Sequence, residues 1–282
     1  MKSLSRRLIV VFLLVGIGAA QYLWLQYRQR ATPMAKPPQV EAPAAVSEPA
    51  PPVPPAIQHP IEALQLEPQQ GLPSLGDSDS FVKTALNRLL GKQAVLSFLA
   101  PDDFVRHFVV TVDNLARGEA ASHLWPVLPT PGRILVVEFG DGTHVADGNA
   151  ERYTPFVKLA QSVDAAKAAA LYLRLYPLFQ QAYEELGYPG KYFNDRLVEV
   201  IDQLLQTPEL AGPIKLTLTD VQGPIPVTRP WLRYEFADPS LESRPAGQKI
   251  LLRMGVRNAQ ALKAKLREFR EKIVPSARTD RG

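Results

Sequence analysis

The chain has 282 residues, 46% of them hydrophobic, and no cysteine. That suffices for one large domain or two small ones, and it excludes a disulfide framework, a thiol nucleophile and a thiolate metal site. The formal charge of +4 does not mark a nucleic-acid footprint, because between Pro68 and Val274 basic and acidic residues nearly balance, 24 against 23. The excess sits in Lys2, Arg6, Arg7, Arg28, Arg30 and Lys36, around the first apolar run.

That run, Leu8 to Leu25, reads "LIVVFLLVGIGAAQYLWL", 18 residues without a charge. At about 1.5 Å per residue it spans about 27 Å, the core of a thin bilayer. Tyr22, Trp24 and Tyr27 form an aromatic belt at one end. One reading makes residues 1–30 a transmembrane anchor with basic flanks. The other is a cleaved signal peptide, with its apolar region at Leu8 to Ile17 and a cleavage site at Gly18-Ala19-Ala20. The uncleaved anchor is preferred because the apolar run continues to Leu25, and its partner is then the lipid bilayer.

Residues 31–73 are rich in Pro, Ala, Glu and Gln, with "EPAPPVPPAIQHP" at the centre. Such a segment cannot bury enough apolar surface to fold, so it is read as a disordered linker. At about 3.1 Å per residue its reach is on the order of 130 Å. An anchor and a long stalk place the protein in a bacterial inner membrane, single-pass, with its C-terminal domain in the periplasm. A cytoplasmic domain on a leash is the competing placement.

Residues 74–274 are expected to form a mainly α, multi-helix globular domain with one or two short β-hairpins, followed by a disordered tail, 275–282. "SDSFVKTALNRLLG" has Asp77 or Ser78 as N-cap, an apolar stripe from Phe81 to Leu90, and Gly91 as its stop. "PDDFVRHFVVTVDNLARG" repeats this, with Asp102 and Asp103 in the first turn. Ile134 to Phe139 followed by "GDGT" predicts a hairpin returning through His144 and Val145.

A helix is expected over about Asn149 to Ser162 and a longer one from Asp164 to Leu186, kinked at Pro177. In the longer helix Tyr172, Tyr176, Phe179 and Tyr183 form one ridge. "FND" then opens the next helix, with Asn194 as cap, Asp195 at its first position and Phe193 stapled onto Val198. "KLTLT" and "WLRYEF" alternate as two short strands. Two helices, about Ala246 to Met254 and Asn258 to Ile273, finish the domain.

Chemistry is sparse. His59, His107, His123 and His144 are scattered, and no two share a helix at the spacing of a zinc site, so no metal and no cofactor is expected. No G-x-S-x-G elbow occurs. "FGDGTH" suits a hairpin turn better than a phosphate loop. Glu184, Glu185, Asp195, Glu199, Glu235 and Asp238 offer acid pairs for a glycosidase, yet each has a plain role on a helix face or end.

The residues that misfit locally are more informative. Asp113 sits near the C-terminal end of its helix, where the macrodipole disfavours it, with Arg117 one turn on to offset it. Asp113 and Asn114 follow the apolar "FVVTV", and Arg152-Tyr153, Arg233-Tyr234-Glu235 and Arg253 lie in apolar surroundings. A buried arginine needs a partner. These residues, with Asp238, are therefore read as one shared network, for packing or for a ligand, alongside Asn194 and Asp195 at the helix start.

The phrases "VVTVDNLARG", "ERYTPFV", "LYPLFQQAYEELGYP", "FNDRLVEVID", "RYEFADPSLE" and "GQKILLRMG" together resemble the bacterial family known as domain of unknown function 3014, over about Leu72 to Lys272. The resemblance implies an envelope protein with one N-terminal span and a variable Pro-rich linker. It transfers no catalytic residue, and it marks Asp113, Arg152, Tyr153, Asn194, Asp195, Arg233 and Glu235 as motif positions. The functional expectation is a non-enzymatic binding or scaffolding module that engages an envelope protein or peptidoglycan, with no nucleic acid. The alternative is an envelope glycan or peptidoglycan hydrolase using an acidic pair. Oligomeric state is not legible.

Overall fold

The computed structural model describes residues 56–61, 71–140, 142–219 and 234–274. The apolar run Leu8 to Leu25, the tail 275–282 and Arg233 lie outside them. Among the described residues no helix is long and apolar enough to cross a membrane.

After a 3-10 turn at Leu75–Asp77, helix α1 spans Asp79–Leu90 and α2 Lys92–Phe98, separated by Gly91 at φ 87°. That backbone conformation is open to glycine, and it stops α1 where the sequence places the stop. Helix α3, Phe104–Leu115, buries Phe104, Val105, Val109 and Val112. The hairpin β1 (Val136–Phe139) and β2 (Gly142–Val145) follows, with Val136 opposite Val145.

The helix expected over Asn149 to Ser162 is two pieces, a 3-10 stretch Asp147–Arg152 and α4, Thr154–Ser162. Helix α5 is Ala165–Glu185, capped by Asp164, whose side chain accepts the N–H of Lys167 at 3.0 Å. Helix α6 is Phe193–Leu205. Strands β3 (Leu216–Leu218) and β4 (Tyr234–Phe236) pair antiparallel, Leu216 opposite Phe236. A bridge between His144 and Lys215 sets the two hairpins side by side. Short α7 (Pro239–Glu242), α8 (Ala246–Arg253) and α9 (Val256–Ile273) complete the described chain. The architecture is thus mainly helical with two short hairpins, as composition and periodicity imply.

The core gathers on α5. Its ridge of Tyr172, Tyr176, Phe179 and Tyr183 is buried, and α3, α6 and α9 pack around it. Phe193 is wholly buried, and its ring lies 5.4 to 6.3 Å from those of Tyr183, Phe179 and Phe108. Tilted and edge-on rings at such distances add to the area they bury, so the tyrosines act as mortar between helices. A smaller core of Leu216, Phe236, Leu241 and Leu252 holds the hairpins against α7 and α8.

Two local expectations are corrected. Ser78 precedes α1 but does not cap it; its hydroxyl donates to the Leu75 carbonyl at 2.8 Å. Asn194 is not the cap of α6 either. The helix begins two residues earlier than expected, at Phe193, with Tyr192 in the cap position, and the Asn194 side chain is buried in the core.

Candidate functional site

The start of α6 holds a segment from far upstream. Residues 56–61, inside the span read as linker, are seated there. The Asp195 carboxylate accepts two consecutive backbone N–H groups, Gln58 at 2.9 Å and His59 at 2.7 Å. The Asn194 amide donates to the His59 carbonyl at 2.8 Å, and the Tyr192 hydroxyl accepts the Ile61 N–H at 2.9 Å. Ile61 itself is 1% exposed and joins the main core. Leu72, near the end of the same span, also packs against that core. Residues 31–55 and 62–70 of the linker reading lie outside the described residues.

Asn194 is the hub of this attachment. Wholly buried, it donates also to the Ile273 carbonyl at 3.1 Å and accepts the Tyr172 hydroxyl at 3.0 Å. It therefore ties the captured segment, the end of α9 and the middle of α5 to the first turn of α6. Burial pushes the Tyr172 hydroxyl well above its ordinary range and keeps it a neutral donor. A buried amide with its hydrogen-bonding groups engaged contributes specificity, since each partner left unmatched costs about 1–3 kcal/mol.

Beside the captured segment lies a hollow of about 460 Å³, lined by Gln58, Asp113, Tyr183, Tyr188, Asp195 and Arg196 among others. Asp113 is 3% exposed and closed in by cations. Arg117, one turn on, reaches it at 2.6 Å, and Arg196 of α6 reaches it at 3.0 Å. The Tyr188 hydroxyl donates to it at 3.0 Å and receives a hydrogen bond from Arg117. For Arg196, burial pushes the guanidinium pKa down, but Glu199 and Asp113 outweigh that and leave it raised. Asn114 contributes its backbone carbonyl, which accepts the N–H of Arg117 at 3.0 Å. Sequence periodicity signals the Arg117 pairing but not Arg196, Tyr188 or Tyr192, whose contacts with Asp113 and the segment cross between elements.

The single network expected from the misfit residues does not form among the described ones, because Asp113 faces α6 whereas Arg152, Tyr153, Glu235 and Arg253 sit at the hairpin end. There Arg152, Tyr153, Tyr234, Glu235, Lys249 and Arg253 line a second hollow of about 540 Å³. Arg152 clamps the preceding turn, donating to the Gly132 carbonyl at 3.0 Å and to the Asn149 side chain at 2.9 Å, with its guanidinium 5.3 Å from the Tyr153 ring. Arg253 lies 4.7 Å from the Phe236 ring, and its carbonyl accepts the Asn149 amide at 2.9 Å. Glu235 is exposed opposite Thr217.

Asp238 lines neither hollow. It caps α7, accepting the Ser240 N–H at 2.8 Å, and the Ser240 hydrogen bonds hold its carboxyl below the ordinary range. Among the described residues the other carboxyls with displaced pKa values, Asp164, Glu209 and Glu242, are likewise lowered. Among the described residues no three His, Cys, Asp or Glu side chains gather closely enough to hold a metal ion.

No curated protein and no solved structure matches the chain. A family model matches residues 104–270, more than half the chain and within the stretch that carries the motif phrases. The chain belongs to the family described as Protein of unknown function (DUF3014).

Proposed function

We propose that the protein is a membrane-anchored module of the bacterial cell envelope. Residues 8–25 hold it in the inner membrane, and its C-terminal domain stands in the periplasm. There it binds an envelope protein or peptidoglycan without catalysing a reaction. The observation that carries the binding role is the capture of residues 56–61 by Tyr192, Asn194 and Asp195. A surface that grips a sequence-distant stretch of backbone by its amides and carbonyl is suited to holding a main-chain segment. The anchor and the periplasmic placement rest on the uncharged run and its stalk.

An acidic-pair hydrolase finds less support. A general acid needs a raised pKa and access to substrate. Asp113 is closed by two arginines, Asp195 is engaged by two backbone N–H groups, and the displaced carboxyls are lowered.

The test is site-specific photocrosslinking in intact cells, with the crosslinker at exposed Lys191 beside the hollow. The expected result is a defined envelope adduct that Asp195→Ala abolishes. Turnover of purified murein by the full chain, lost on changing one acid, would overturn the reading.

A further inference from the structure

We propose that Tyr192, Asn194 and Asp195 form a receptor for a bent main-chain segment of a partner protein with the pattern x-x-Pro-aliphatic, and that residues 56–61 are its resident, displaceable occupant. This rests on the reading of the domain as a binding module. It adds what is bound, and that the chain blocks its own site.

Recognition runs almost wholly through main-chain atoms. The receptor takes the N–H groups of Gln58, His59 and Ile61 and the carbonyl of His59. Between positions 58 and 61 the receptor takes every N–H but that of position 60, where proline has none to offer. The pattern of contacts therefore accepts proline there at no loss. Side-chain selection falls on position 61, buried to 1% exposure, whereas Ala56, Ile57 and Gln58 are exposed. Any segment that takes the same bend, with a proline followed by a residue that fits the Ile61 pocket, meets the same demands.

The receptor does not depend on its occupant for shape. Asn194 is fixed by the Tyr172 hydroxyl and the Ile273 carbonyl, and its N–H is held by the Tyr176 hydroxyl at 3.3 Å. The Tyr192 ring packs on Tyr176, with centroids 5.4 Å apart. A frame pre-organised in this way survives departure of the segment.

An intramolecular occupant competes at an effective concentration of order millimolar. A partner needs extra contacts to displace it. The hollow of about 460 Å³ offers room for them: Ala56 and Gln58, both exposed, line it together with Tyr183, Tyr188 and Arg196.

The test uses the full chain in detergent micelles and, as probe, a capped fluorescent hexapeptide with the sequence of residues 56–61. His59→Pro removes one donor to Asp195 without touching the core, and Ile61→Ser empties the pocket by a second route. Anisotropy is expected to show at least tenfold tighter probe binding to either variant than to the unaltered chain, and loss of that gain when Asp195→Ala is added. No gain in either variant overturns the proposal. If amide exchange at Gln58 and Ile61 stays slow, the segment is a permanent part of the fold. If it becomes fast, the surface reads only its own tethered chain. The Lys191 crosslink, repeated in the same variants, separates the two levels. An adduct that persists without probe binding leaves the binding module standing and removes the exchange, whereas loss of both removes both.

Discussion

Replacing Asn194 by alanine tests whether the start of α6 is a structural hub. The side chain is fully buried and makes hydrogen bonds of 2.8, 3.0 and 3.1 Å to His59, Tyr172 and Ile273. Each neutral hydrogen bond contributes about 1 kcal/mol net, and the Tyr172 hydroxyl, left without an acceptor inside the core, adds a penalty of about 1–3 kcal/mol. The sum is about 4–6 kcal/mol. At about 2–4 °C per kcal/mol for a domain of this size, the melting temperature falls by roughly 15 °C. Urea denaturation of the full chain measures this directly. Adding Tyr172→Phe removes the stranded hydroxyl and is expected to return about 1–2 kcal/mol. A loss under about 1 kcal/mol from Asn194→Ala, or a further loss on adding Tyr172→Phe, would refute the hub.

Asp195→Ala is expected to change global stability by less than about 1 kcal/mol, because residues 56–61 detach locally; amide exchange at Gln58 and His59 should accelerate while that of α6 does not. Asp113→Ala removes the carboxylate shared by Arg117 and Arg196 and leaves Arg196, whose side chain is only 19% exposed, with Glu199 as its remaining carboxylate; it should destabilise by about 1.5–3 kcal/mol in chemical denaturation. Arg196→Met in the Asp113→Ala background should restore part of that, since it removes a guanidinium that has lost its carboxylate on α3. Gly247→Ala in α8 would set a Cβ 2.5 Å from Leu204 and 3.1 Å from the Leu115 carbonyl; the overpacking, about 1–3 kcal/mol, should outweigh the better helix propensity and lower the melting temperature. Burial pushes the Tyr183 hydroxyl up to about 12, so the folded state favours its neutral form. That contribution is complete below the ordinary value near 10 and is lost as pH rises toward 12. Tyr183→Phe should therefore flatten the fall in urea midpoint across this window, and an unchanged slope would exclude the tyrosine.

Particular residues show where sequence reasoning reaches and where it stops. The stripe from Phe81 to Leu90 with Gly91 behind it, the "GDGT" turn and the tyrosine ridge of α5 are each legible, because a helix or hairpin is specified by neighbours within about four residues. The i, i+4 pairing of Asp113 with Arg117 belongs to the same class. Helix α2 escapes notice, since Lys92–Phe98 is too short for periodicity to stand out. The split at Arg152-Tyr153 escapes as well, being set by the clamp on the Gly132 carbonyl.

What the amino-acid order decides alone is the helical class, the hairpins, the balanced charge of the folded part and the uncharged run before it. These follow from spacing and composition, and both are properties of a one-dimensional string. Tertiary structure decided that Asn194 faces inward rather than capping a helix, that Asp113 belongs to Arg196 rather than Arg152, and that six residues of a proline-rich stretch are seated on the domain. Each depends on which distant backbone groups arrive within 3 Å of a side chain. Gln58 and Asp195 stand 137 positions apart, and only the packing of α5, α6 and α9 brings them together.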